Sequence, residues 1–273
     1  MFRPEVRKTP ARSALAMLEV IFHAAVRNVR KSHGNAVWGL LMNIFQTVLM
    51  VAIFYVMFEI LGLRGSALRG DFLLYIMSGV FMFMTHIKAM GAVVNAEGPT
   101  SPMMKHAPMN TIISICAAAL STLYIQVLSV VVVLYLYHVL VVPITIDQPV
   151  GAMAMLLLSW VSGVAIGMVF LSAKPWNPEI VGIIAMIYMR ANMITSGKMF
   201  VANTMPTHVL NMFDWNPLFH TIDQARGFIF LNYNPHYSSI DYPVKVTLAC
   251  LMIGLMGEFY TRKHASASWS AGR

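Results

Sequence analysis

The sequence predicts an all-α integral membrane protein with six transmembrane helices, an N-terminal amphipathic interfacial helix and a re-entrant helical hairpin before the last span. Three observations predict it. Hydrophobic residues make up 58% of 273 and charged residues only 11%, with a mean hydropathy of +0.67, against roughly 25% charged in an ordinary soluble chain. The apolar residues gather in runs close to the ~20 that a bilayer-crossing helix needs. The basic residues are spread unevenly around those runs, as the positive-inside rule describes.

Residues 1–33 lack an apolar stretch followed by a small-residue cleavage site, so they are expected to stay as a cytoplasmic amphipathic segment. Leu15, Leu18, Phe22, Ala25 and Val29 share one helical face, while Glu19, His23, Arg27 and Lys31 step by four along the other. Such a helix suits the headgroup plane of a membrane, or the surface of another protein.

Six apolar stretches follow within a transmembrane domain of residues 34–263. They are 36–61, 72–94, 111–142, 151–173, 180–195 and 243–260. An even number of crossings puts both termini, including the tail 264–273, on one face. The N-terminal arm holds seven Lys or Arg, the tail region three, and the loops at Lys105 and Lys174 one each, together 12 of the 19. That face is therefore expected to be cytoplasmic. The net charge of +8 then reports orientation and contact with anionic lipid, with no nucleic acid implied. Cys116 and Cys250 lie inside apolar runs, where neither a disulfide framework nor a metal cluster finds its ligands.

The segment 196–242 is too apolar for a solvated loop. Asn216 can cap a helix with Pro217 in its first turn. On that helix Leu218, Ile222, Ala225 and Ile229 form an apolar face, and His220, Asp223, Gln224 and Gly227 a polar one. About 15 residues rise roughly 22 Å, short of a full span. With Met205-Pro206 opening a shorter leg, residues about 206–231 read as two half-helices dipping from the outer face, so that His220, Asp223 and Arg226 form the mouth of a pathway. The alternative is an amphipathic helix lying flat on the outer leaflet.

Other polar and aromatic residues stand out inside the spans. Arg190 lies near the midplane of the fifth, where an arginine costs about 2.5–3.5 kcal/mol on insertion scales. It is expected to line the pathway or pair with another helix. Lys88 is close enough to its helix end to snorkel, and His86 reads as a satisfied buried histidine. Trp38, Phe45, Tyr55 and Glu59 share a face of the first span, and Tyr124 and Tyr135 a face of the third. Aromatic rings there either line a pathway or form an interfacial belt.

The fragments "HGNAVWGLL", "HAPMNTIISICAAALSTLYI", "MITSGKMF" and "WNPLFHTIDQAR", in this order over about residues 27–263, resemble the membrane subunit of ABC type-2 exporters. The likeness is to the branch exporting capsular polysaccharide, O-antigen and teichoic acid. It implies a homodimer of six-helix subunits with two copies of a cytoplasmic ABC ATPase, moving a lipid-linked glycan outward across the inner membrane. Periplasmic export proteins are further candidate partners. It also implies a coupling helix in the loop after the second span, about Glu97 to Ala107, with Glu97, Met103, Met104, Lys105 and His106 as contacts. This chain has Lys105-His106-Ala107-Pro108 where the family usually carries a basic residue and a phenylalanine-proline pair. Trp176, in "KPWNPE", is a second contact or an interfacial anchor.

The chain shows no GxxxxGK[ST]. Its nearest approach, "NMITSGKM", has Asn192 in place of the first glycine, so ATP and magnesium are expected in the partner and no cofactor in this chain. Rival readings are an ABC type-2 exporter of a drug, haem or lipid, an intramembrane enzyme, or a channel. His220 and Asp223 are the one tempting catalytic pair, and no nucleophile stands between them. A channel would need a filter sequence or charged ring that is not evident.

Overall fold

The computed structural model describes residues 10–31, 36–60, 62, 71–98 and 110–264. Among these residues every regular element is helical. In chain order they are α1 (Pro10–Lys31), α2 (Ala36–Ile60), α3 (Phe72–Val94), α4 (Thr111–Leu140), α5 (Pro149–Ala173), α6 (Pro178–Thr195), α7 (Thr207–Leu210), α8 (Pro217–Ile229) and α9 (Asp241–His264). A 3-10 turn, Ala202–Thr204, precedes α7.

The helix ends follow local chemistry. Asp71 caps α3 by accepting from the Leu73 amide at 2.9 Å, and Asn177 caps α6 from Ile180 at 3.1 Å. Proline opens α5, α6 and α8, where its missing N–H leaves no hydrogen bond unmade.

Five helices are long and apolar enough to cross a membrane: α2, α3, α4, α5 and α9. The fifth expected span forms α6, but with 18 residues, Arg190 and Asn192 it rises only about 27 Å and is not among the five.

The interior is built on α3 and α5. Small residues let their backbones approach closely, as membrane helices require in the absence of a water-driven effect between them. A side chain on Gly163 would place its Cβ 2.3 Å from the His86 carbonyl oxygen. Ser159 and His86 find partners at this contact. Ser159 donates to the Met82 carbonyl at 2.9 Å. His86 is fully buried between Ser162 Oγ at 2.9 Å and the Tyr188 hydroxyl at 3.0 Å, as a structural histidine should be. Gly254 brings α9 against Met168 on the other side of α5. Trp160 ties α5 to α4 through the Ala119 carbonyl at 2.9 Å.

Around this interior α2, α4, α6 and α9 present apolar side chains outward, among them Ile53, Val131, Ile187 and Met256. That suits hydrocarbon. The α1 helix sets its small residues against α4 and leaves the larger residues of its expected apolar face turned outward. Ile21, Ala24 and Ala25 pack toward α4 around Ala117, while Leu15, Leu18 and Phe22 remain exposed. The small residues admit the closer approach.

Candidate functional site

The polar residues of 196–240 converge on α8 at one end of the bundle. Asn216 works twice. Its Oδ1 accepts from the Leu218 amide at 3.0 Å, and its Nδ2 donates to Asn192 Oδ1 at 3.0 Å and Thr195 Oγ1 at 2.8 Å. The start of α8 is thereby clamped to the end of α6. Between them the chain turns at Gly197, whose φ of +74° suits a residue without a Cβ, and a Cβ there would also lie 2.6 Å from the Phe219 ring.

Arg226, 1% exposed, closes the turn. Nη1 donates to the carbonyls of Gly197 at 3.0 Å and Phe200 at 2.6 Å, Nη2 donates to that of Lys198 at 2.8 Å, and the guanidinium carbon lies 4.3 Å from the Tyr75 ring centroid. Gly79 of α3 makes room, since its Cβ would fall 2.9 Å from that of Lys198 and 3.0 Å from Arg226 Nη2. Lys198 itself is 3% exposed, and its Nζ meets no hydrogen-bond acceptor among the described residues. It lies 3.5 Å from the centroid of Phe83 and 5.1 Å from that of Phe54. Burial pushes its ammonium down to about 7, while the two ring faces favour the charged form.

The rest of the polar face is tied to the return toward α9. Asp223 accepts from the Tyr233 hydroxyl and from Ser238 Oγ at 2.7 Å. Burial, with the Asp223 carboxylate adding to it, raises the Tyr233 phenol well above its ordinary range, so it remains the donor. Gln224 donates to the Ser238 carbonyl at 2.9 Å. His220 Nδ1 accepts from the Ser239 amide at 3.1 Å, which leaves the proton on Nε2 for the Asp214 carbonyl at 2.6 Å.

This differs from the expected two-legged hairpin with a wetted polar face. The first leg is the single turn α7, because the chain reaches Asn216 six residues after Leu210. Both faces of α8 are buried, and His220, Asp223 and Arg226 spend their hydrogen bonds inside the subunit. They form a latch, and the one serine hydroxyl that meets the His220–Asp223 pair among the described residues, that of Ser238, donates to Asp223 and not to His220.

The remaining candidates lie elsewhere. Trp38, Phe45, Tyr124 and Tyr135 are 58–65% exposed on the outside of the single chain, and Tyr55 is half-buried against Phe72. Arg190 faces outward on α6. Trp176 donates to Thr261 Oγ1 at 2.9 Å and stacks on Tyr260, which fastens the α5–α6 loop to the end of α9. The Glu97 amide donates to Ser114 Oγ at 3.1 Å across the loop ends. Met103, Met104, Lys105 and His106 lie outside the described residues. No group of three or more His, Cys, Asp or Glu that could hold a metal occurs among the described residues.

Sequence reasoning missed Asn192, Gly79 and Lys198 as parts of the latch. The visible signal was a polar or small residue inside an apolar run, which does not name its partner.

Compared with known families, residues 19–230 match the model described as ABC-2 type transporter. No curated protein matches the chain.

Proposed function

Since the chain belongs to the ABC-2 type transporter family, whose model covers most of its length, we propose that it is the permease of an exporter moving a lipid-linked polysaccharide of capsule or O-antigen type. As a member of that family it is a multi-pass transport subunit that works with an ABC ATPase. The glycan is our reading, as are a homodimer, two ATPase copies, periplasmic partners, inner-membrane residence and cytoplasmic termini.

The observation that supports the glycan is the set Trp38, Phe45, Tyr124 and Tyr135, held with exposed rings on α2 and α4. A second copy placed against these helices would enclose them. Aromatic faces pack sugar C–H groups without a fixed charge to trap a moving polymer. On this reading the route lies between copies, where the exposed rings of α2 and α4 would face it. An exporter of a drug, haem or lipid is the rival on the same architecture.

The test is reconstitution with the partner ATPase in vesicles. Lipid-linked glycan should stimulate ATP hydrolysis and appear inside inverted vesicles, whereas stimulation by an uncharged drug or haem alone would overturn the glycan. Replacing residues 103–106 by alanine should release the ATPase on co-purification; full retention would remove that loop from coupling.

A further inference from the structure

A second polar cluster lies between α2, α3 and α4, at the end of the bundle that carries α1, and the α8 latch does not use it. Lys88 of α3 donates to Asn43 Oδ1 at 2.6 Å and to Gln46 Oε1 at 2.5 Å, both on α2. Asn43 is only 4% exposed. Its Nδ2 donates to Gln126 Oε1 at 3.0 Å and Ser129 Oγ at 2.7 Å on α4, and Gln126 in turn donates to the Met84 carbonyl at 3.1 Å. The Asn43 amide is therefore fixed in orientation from behind, and Gln46 meets the ammonium from the open side. They hold the ammonium in place and do not neutralise it.

In front of the ammonium is a cavity of about 180 Å³ lined by residues that include Gly39, Gln46, Lys88, Thr122 and Gln126 and no carboxylate. Lysine has three N–H donors and spends two here. The Gln46 amide nitrogen donates to no group among the described residues, and Gln46 is exposed. Gln46 and the ammonium of Lys88 thus line one small space inside a span, where an ionised group requires a partner. Lys88 lies six residues from the end of α3, roughly 9 Å at 1.5 Å per residue, within reach of a headgroup.

We propose that Gln46 and Lys88 bind the phosphate of a membrane lipid that enters beside α2, with Asn43 as the positioning residue. The cavity is smaller than the roughly 300–1,000 Å³ of sites that enclose a drug-sized ligand, so it takes the phosphate and leaves the remainder of the lipid outside. The bound lipid is either a bilayer phospholipid or the diphosphate carrier of a transported glycan. The site does not depend on the glycan reading.

The test is native mass spectrometry of the purified full chain, titrated separately with phosphatidylglycerol, a polyprenyl diphosphate and phosphate-free diacylglycerol. Lys88→Met should weaken binding of one or both phosphate lipids by about tenfold, the loss expected for one charge-assisted hydrogen bond. Lys88→Arg should retain it, and diacylglycerol should be indifferent. Loss confined to phosphatidylglycerol identifies a bilayer lipid, and loss confined to the diphosphate identifies the carrier. Gln46→Ala, at an exposed position, decides the matter if Lys88→Met does not fold. Unchanged affinity of the folded variants for both phosphate lipids would overturn the site.

Discussion

Arg226 on α8 donates a 2.8 Å hydrogen bond to the backbone carbonyl of Lys198, 28 residues earlier in the chain. The same guanidinium serves Gly197 and Phe200, so one side chain satisfies three carbonyls of a turn that lies against α3. Arg226→Ala would strand those acceptors in a water-poor interior and cost about 3–5 kcal/mol. Arg226→Lys should recover only part of this, since an ammonium lacks the planar fork. Thermal unfolding of the purified chain, with limited proteolysis of the 197–206 segment, reads both effects. A wild-type melting temperature for Arg226→Ala would remove the latch as a stabilising device.

Lys198 gives the latch a pH dependence with a definite sign. Its folded-state value is about 7 against an ordinary 10.5. Between those values the unfolded chain holds the proton more often than the folded chain. Stability therefore rises with pH across that window and is lower where both states are charged. Melting temperature followed from pH 7 to 9.5 should rise for the wild type by more than for Lys198→Met, which keeps an apolar stem between Phe54 and Phe83 and titrates nothing. Identical pH profiles for the two proteins would show that Lys198 is not buried as described.

The helices were legible because bilayer length and apolar continuity are one-dimensional properties. All six expected spans correspond to helices, and the Asn216–Pro217 start of α8 lies where its capping chemistry put it. The environment of the polar groups was not legible. A periodicity separates Leu218 from Asp223, but whether the polar face meets water or Tyr233 and Ser238 depends on a return of the chain that no local pattern encodes. Lys88 reads as a snorkelling residue from its distance to the helix end. The amides of Asn43 and Gln46 that hold it are contributed by another helix. The contact of α1 with α4 has the same origin, since Ala24 and Ala25 acquire value only from Ala117 opposite them.

The α3–α5 contact predicts a contrast between two glycines. A methyl on Gly163 would meet the His86 carbonyl oxygen at 2.3 Å, a backbone atom that cannot rotate away. Gly163→Ala should force the helices apart and cost about 1–3 kcal/mol or more. Gly182 on α6 has no atom within 4 Å of its would-be Cβ. Gly182→Ala should be neutral or gain about 0.5–1 kcal/mol from helix propensity. Melting temperatures of the two variants decide it, and equal values would contradict the close approach.

Arg190 separates insertion from transport. It sits on the exposed side of α6 near Ile187 and Ile194, and no residue of the same chain forms an ion pair with it among the described residues. Replacement by leucine should favour membrane insertion by about 2.5–3.5 kcal/mol on insertion scales, so the protein level in the membrane should hold or rise. If the guanidinium meets a second copy or the passing substrate, export should fall several-fold despite that gain. Quantitative blotting of membranes beside the vesicle export assay distinguishes the two effects. Wild-type export by Arg190→Leu would leave the residue without a transport role, and a reduced membrane level would show that the arginine stabilises the fold instead.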